Sequence, residues 1–364
     1  MIFCFGACEN GHNIKKIIEK SGDRKVDYYV DNNEKKQGHK LDGIEIISFD
    51  AMREKCKRKK FVPMILIALL NPETVVDQIR ESQFNADVYV LTKKYIISNA
   101  RQEMEFKDAL CKIDEKLHRL GYLEVHVAHH CNLKCKGCGH MSNIVPVEFP
   151  DFEQYKKDLY QLRKFFWGVK RFRLLGGEPL LNPQLSEYII ETRKVFPDAD
   201  IRVVTNGLLI PTLGKDVLQT MKRESVEFDI SCYHPTARIK EQIELRCIEH
   251  EVRYQLSSEI DVFFKRCKDT EEKDPYIAYN VCESKNCHFM LDGKISLCPA
   301  PILVEKFKEY TVGTAREGDI IDLYDRDITS ERLYYLMTHP NHQCAYCSDE
   351  KEWFDWEGNS KTNG

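Results

Sequence analysis

Apolar residues fall in short dense runs separated by longer amphipathic stretches. Ile2-Phe3-Cys4-Phe5 reads as a buried strand, and the turn from Gly6 to Gly11 leads into a helix with Ile14, Ile17 and Ile18 on one face. Residues 26–30, 63–70 and 88–91 read as further strands, with a helix opened by Asn71-Pro72-Glu73 before the last. Strand and helix in alternation predict a parallel sheet over residues 1–92. Residues 93–120 are charged and amphipathic and predict a helical connector, centred on 99–120.

The alternation resumes at residue 121. Strands are predicted at 123–128, 171–175, 201–205, 226–232 and 252–256, with helices at 151–166 and 183–196. Asp151 is a cap for the first helix, with Gln154 three residues on, and Phe152, Tyr155, Leu159, Leu162 and Phe166 recur at helical spacing. Residues 226–233 alternate strictly: Val226, Phe228, Ile230 and Cys232 form an apolar row, and Glu227, Asp229, Ser231 and Tyr233 a polar one.

Composition narrows the class. The chain of 364 residues is 42% hydrophobic and 31% charged, with a net charge of −4, which suits a globular protein of two or three domains. No basic surplus is present to hold a polyanion, which argues against nucleic-acid binding. No apolar run is long enough for a membrane span, and Met1-Ile2-Phe3-Cys4-Phe5 lacks the flanks of a signal peptide. Fifteen cysteines, odd in number and clustered, point to metal ligation in a reducing compartment, and a cytoplasmic location is expected.

Three of those cysteines, Cys131, Cys135 and Cys138, are spaced C-x3-C-x2-C with no fourth in the loop. Structural zinc sites close a shell of four ligands, whereas a cubane held by three thiolates keeps one iron open. Gly176-Gly177-Glu178-Pro179 and Thr205-Asn206-Gly207 follow, each at a strand end. In these motifs the sequence resembles the radical S-adenosylmethionine (radical SAM) superfamily. The resemblance implies an α/β fold with a partial (β/α)6 barrel over residues 121–272. It also implies a [4Fe-4S] cluster on the three cysteines and S-adenosylmethionine held by Gly176, Gly177, Glu178 and Pro179, with Asn206 and Ser231 as further contacts. Many members carry an aromatic residue before the third cysteine, near the adenine. Gly137 stands there instead, so His140 is a candidate to stack on the adenine. The competing reading is a zinc site using His129, His130 or His140.

In a barrel clad by helices the apolar row of 226–232 faces outward and the polar row faces the lumen. The same logic turns Glu124, His126, Arg173, Arg202, Asn206, Arg253 and Gln255 inward. So polar a lumen fits a hydroxyl-rich or phosphorylated substrate, or else an ion-pair network that satisfies itself on the barrel floor.

In the first domain, the glycine fingerprint is broken at Cys8, and Asp31 stands where a ribose-binding acid would. A tight turn with no ligand explains both equally well. Val30-Asp31-Asn32-Asn33 and the segment 43–47 resemble small Rossmann-like domains attached to bacterial enzymes of sugar and surface-glycan metabolism.

Residues 273–364 hold Cys287-x5-Gly293-x4-Cys298, a hairpin turning at Asp292-Gly293, and Cys344-x2-Cys347. This resembles the twitch or SPASM-like auxiliary module of some radical SAM enzymes. It implies a second [4Fe-4S] cluster on Cys287, Cys298, Cys344 and Cys347, with Cys282 competing for the first position. A zinc ribbon has the same ligand inventory. Cys4, Cys56, Cys111 and Cys247 read as packing or surface residues, while Cys232, Cys267 and Cys282 are candidate hydrogen-atom donors. The expected function is radical chemistry on a saccharide or nucleotide-sugar, with flavodoxin or ferredoxin as electron donor. The alternatives are a peptide maturase and a non-catalytic iron–sulfur scaffold or sensor.

Overall fold

Seven strands make the first sheet: β1 (Ile2–Phe5), β2 (Tyr28–Val30), β3 (Lys40–Leu41), β4 (Ile44–Ile47), β5 (Met64–Ile67), β6 (Asp87–Leu91) and β7 (Leu110–Ile113), in the order β3-β4-β2-β1-β5-β6-β7. A computed structural model describes residues 1–20, 22, 24–59, 61–268, 270–271, 274–310 and 318–358. It divides into two units, Met1–Arg119 with Pro197–Ala199, and Leu120–Phe196 with Asp200–Gly364.

In the first unit the core strands are parallel, β1 with β2 and β5, β2 with β4, and β5 with β6. Helix Glu9–Lys20 buries Ile14, Ile17 and Ile18, as its spacing predicts. The expected helical connector is not there. The segment holds only short helices, Lys93–Ile97, Arg101–Glu103 and Phe106–Ala109, and β7 pairs antiparallel with β6, Val88 opposite Ile113 and Leu91 opposite Leu110. Leu110 and Ile113, three apart and both buried, mimic one helical face. Pairing with the exposed edge of β6 satisfied the backbone of both strands instead.

The loop after β1 closes on itself. Asp31 Oδ2 accepts from the Ala7 backbone N–H at 3.0 Å and from Lys36 Nζ at 2.8 Å. A side chain at Gly11 would begin 2.3 Å from the Gly6 carbonyl oxygen. Glycine is therefore required at position 11 by the turn itself, and the Asp31 carboxylate is held by Lys36.

The second unit holds β8 (His118–Ala128), β9 (Phe166–Gly176), β10 (Asp200–Thr205), β11 (Glu227–Ile230), β12 (Arg253–Leu256), β13 (Val262–Cys267), β14 (Phe289–Leu291), β15 (Lys294–Ser296), β16 (Ile320–Asp322) and β17 (Cys347–Asp355). Strands β9 to β12 are parallel neighbours. Phe172, Ile201, Val203, Phe228 and Ile230 on them are fully buried. The described residues form an open eight-stranded sheet, β12-β11-β10-β9-β8-β14-β15-β16.

The cysteine-rich hairpin β14–β15 therefore does not stand apart. β14 runs parallel to β8, and the Glu124 N–H donates to the His288 carbonyl at 2.8 Å, so the hairpin takes up the open edge of β8. Asp158, on helix Phe152–Leu162, fixes the turn: its Oδ2 accepts from the Gly293 N–H and its Oδ1 from the Tyr324 hydroxyl, both at 2.8 Å. The expected boundary at 272/273 lies outside the described residues. β13 and β17 form a separate antiparallel pair.

Candidate active site

The carboxyl ends of β8 to β11 surround a cavity of about 270 Å³, lined by Cys131, Cys135, Cys138, Gly176, Gly177, Asn206 and Ser231 together with Glu124, His140, Arg173, Tyr233 and Phe263. The three cysteines are free thiols. Burial pushes Cys131 up to about 12 and also raises Cys135, where the Trp356 indole opposes the rise. Thiols this reluctant to ionise give up their protons to a cation.

The spacing of the sulfurs bears on which cation. Among the described residues, the three do not all come within 4.8 Å of one another, whereas a tetrahedral zinc with bonds of about 2.3 Å holds sulfurs roughly 3.8 Å apart. His129 and His140 both bond to His126, at 3.2 and 3.0 Å, and His130 bonds to Glu148. Only His140 of these histidines lines the cavity.

Gly176 and Gly177 serve the cysteine loop directly. The Gly177 N–H donates to the Ala128 carbonyl at 2.9 Å and the Glu178 N–H to His130 at 3.0 Å. A side chain at Gly177 would begin 1.9 Å from the His130 carbonyl oxygen, and one at Gly176, where φ is +134°, 2.0 Å from that of Ala128. These glycines let the end of β9 zip onto the segment that launches the loop.

Glu178, expected to meet the cofactor, is fully buried and does not line the cavity. Its Oε1 accepts from the Thr205 hydroxyl at 2.6 Å and the Leu180 N–H at 3.0 Å, and its Oε2 from the Asn206 N–H at 2.9 Å. Burial lifts its pKa to about 7 against those three bonds. The residue thus ties the end of β9 to the end of β10. Pro179 is buried and opens the short turn that follows. Asn206 is aimed at the loop: its Nδ2 donates to Asn132 Oδ1 at 2.7 Å and lies 3.6 Å from Cys131 Sγ.

The inward polar row divides in two. In one group, Arg202 bonds Asp200 at 3.0 Å and Gln255 at 2.5 Å, and Glu227 pairs with Arg202 and Arg253. None of these five lines the cavity, so this part is a self-satisfied network. In the other group, Arg173 bonds the Tyr122 hydroxyl at 2.6 Å and Asp229 at 2.8 Å and lies 3.3 Å from Glu124. Glu124 and Arg173 do reach the cavity, beside a His140 whose burial holds it neutral.

None of the candidate hydrogen-atom donors lines the cavity. Cys232 is on the apolar row and 4% exposed. Cys267 faces Cys347 across β13 and β17, and Cys282 ends helix Pro275–Val281. The auxiliary cysteines gather near one another. Burial and then the neighbouring Cys344, Cys282 and Cys267 push Cys298 up to about 12. Burial, and to a lesser degree Cys282, raises Cys344, and the contact with Cys267 followed by burial raises Cys347, with Cys282 a smaller contributor. For Cys287 the main charged neighbours are Glu124 and Arg173. Cys282 neighbours Cys298, Cys344 and Cys347, Cys267 neighbours Cys298 and Cys347, and Cys287 also has Cys282 beside it. Sequence reading also missed Tyr122, Phe263 and the distant Trp356, which no motif marks.

Residues 125–255 match the family model described as the radical SAM superfamily. They form a radical SAM domain. Radical SAM domains use a [4Fe-4S] cluster and S-adenosylmethionine, and the three-thiol cavity with its glycine-lined wall fits both. The GTP 3',8-cyclase of Clostridium acetobutylicum is 31% identical over 123 residues, which is 32% of this chain and 37% of that relative. The GTP 3',8-cyclase of Campylobacter jejuni subsp. doylei is 30% identical over 126 residues, with the same shares. The chain thus spans 37% of the length of these radical SAM relatives. BtrN in complex with AdoMet and 2-DOIA aligns with 60% of this chain and 88% of its own, at 22% identity and a TM-score of 0.36. No helix among the described residues is long and apolar enough to cross a membrane.

Proposed function

We propose that this protein is a radical SAM enzyme acting on a hydroxyl-rich small molecule of the saccharide or nucleotide-sugar class. Cys131, Cys135 and Cys138 hold the cluster, and Gly176, Gly177, Asn206 and Ser231 border the cofactor. With cluster and S-adenosylmethionine bound, an electron from flavodoxin or ferredoxin yields a 5'-deoxyadenosyl radical that takes hydrogen from a carbon of the substrate. A second cluster on Cys282, Cys298, Cys344 and Cys347 is part of the reading.

The carrying observation is the wall formed by Glu124, Arg173 and His140. A carboxylate, a guanidinium and a neutral imidazole side by side offer acceptors and donors to hydroxyl groups. The names of the relatives favour a second reading, a nucleoside triphosphate. Against it, Arg173 is the sole cationic side chain among the described residues lining the cavity, and Glu124 and Asp229 already pair with it. A triphosphate needs more positive charge than this.

Reductant, S-adenosylmethionine and ring-deuterated sugars, nucleotide sugars or GTP provide the test. Deuterium in 5'-deoxyadenosine from a sugar supports the reading. Transfer from GTP alone sinks the saccharide reading in favour of the nucleotide.

A further inference from the structure

The chain after β17 returns to the cysteine loop. The Lys136 N–H donates to the Glu357 carbonyl at 2.8 Å, and the Trp356 N–H to Asp261 at 2.7 Å. Just before these anchors Phe354 lies over Gly137. A side chain at Gly137, where φ is +72°, would begin 2.3 Å from Phe354 Cζ. The aromatic residue missing before the third cysteine is thus matched by an aromatic ring arriving from the far end of the chain.

Trp356 goes deeper. It joins Leu133 and Cys135 in a buried cluster that Cys131, Cys138, Tyr233 and Phe263 surround. Its ring stacks on Tyr233 with centroids 5.4 Å apart and planes 12° apart. Only 8% of the residue is exposed, and its Nε1 has no hydrogen-bond partner among the described residues. An indole nitrogen can only donate, so a buried one without an acceptor is a group waiting for a ligand. The neighbour able to accept is Cys135, which shares the buried cluster with the indole. A thiolate or sulfide accepts far better than a thiol.

We infer that the Trp356 indole N–H donates a hydrogen bond to the sulfur of the cluster held by Cys131, Cys135 and Cys138, and so sets its reduction potential. This rests on the three-cysteine cluster of the proposed function. Reduction adds negative charge to the cluster, and a donor aimed at its sulfur stabilises that charge, which raises the potential. Trp356 is a tuning residue contributed by the carboxyl-terminal segment, more than two hundred residues from the loop it serves.

Trp356→Phe keeps the stacking on Tyr233 and removes only the N–H. The full chain, reconstituted anaerobically, is titrated by potential while electron paramagnetic resonance follows the cluster signal that S-adenosylmethionine alters. The expected result is unchanged iron and a fall of about tenfold in the ratio of reduced to oxidised cluster at fixed potential, or about 59 mV for one electron. An unmoved ratio with full iron overturns the inference and leaves the cluster reading intact. A wild-type protein with no such signal overturns both. Should the variant fail to load, wild-type protein carrying ¹⁵N-indole tryptophan decides: a ¹⁵N coupling to the reduced cluster that persists in Trp353→Phe supports the inference, and its absence overturns it.

Discussion

The Thr205 hydroxyl donates to Glu178 Oε1 at 2.6 Å inside the protein, so the acid of the glycine-rich segment braces two strand ends. Its pKa, about 7 when folded against the ordinary carboxylate value of 4.5, makes stability depend on pH. Between those values the folded chain keeps a proton that the unfolded chain releases. The free energy of unfolding therefore falls as pH rises from about 4.5 to about 7, and the full penalty stands above that. Glu178→Gln removes this slope. It also sets an amide N–H₂ against one of three donors, at a cost of about 1–3 kcal/mol at low pH. Urea midpoints for both proteins at about pH 5 and about pH 8 check this: the wild type should lose more than the variant on going up.

Gly177→Ala places a carbon 1.9 Å from the His130 carbonyl oxygen and 2.8 Å from the Cys131 nitrogen, both backbone atoms that no side-chain rotation can relieve. The strand end must unzip from the cysteine loop. The expected outcome is a stability loss of about 3 kcal/mol or more, with poor iron loading in the protein that remains soluble. Thermal melting and iron content measure the two separately.

Arg173→Ala leaves Glu124, whose side chain is 5% exposed, and Asp229 without their guanidinium. In the proposed reading these groups face the substrate, and the cleavage of S-adenosylmethionine is left to the cluster and its thiolates. Substrate-coupled turnover should therefore drop by at least about tenfold, or about 1.4 kcal/mol, while uncoupled 5'-deoxyadenosine formation persists. Parallel loss of both activities would mark Arg173 as a folding residue instead.

The auxiliary cysteines make a counting experiment possible. With two cubanes the protein holds about eight iron atoms per chain. Cys282→Ala should lower that to about four, and Cys287→Ala should leave it unchanged. The reverse pattern would restore the assignment made from spacing.

Much of the site was legible because its signals are local. The cysteine spacing lies within eight residues, and period two along 226–233 placed Val226, Phe228, Ile230 and Cys232 on the buried face and Ser231 and Tyr233 at the cavity. The same rule could not tell which inward charges meet solvent. Arg173, Arg202, Glu227 and Arg253 stand in one register row across β9 to β12, yet of these only Arg173 reaches the cavity, and position across a sheet leaves no mark in a two-residue repeat. Leu110 and Ile113 misled for a related reason, since three-apart spacing is shared by a helix face and a short paired strand.

By itself the sequence determined the chemistry: a three-thiol loop on a strand end, a glycine pair behind it, and a parallel α/β frame to carry them. Those are consequences of residue type and short-range spacing. Only the tertiary structure decided that Glu178 braces rather than offers its carboxylate, that β14 extends the central sheet, and that Phe354 and Trp356 close over Gly137 and Cys135. Each of these depends on which distant segment fills a given space, and burial and hydrogen-bond satisfaction settle that question only when the whole chain is packed.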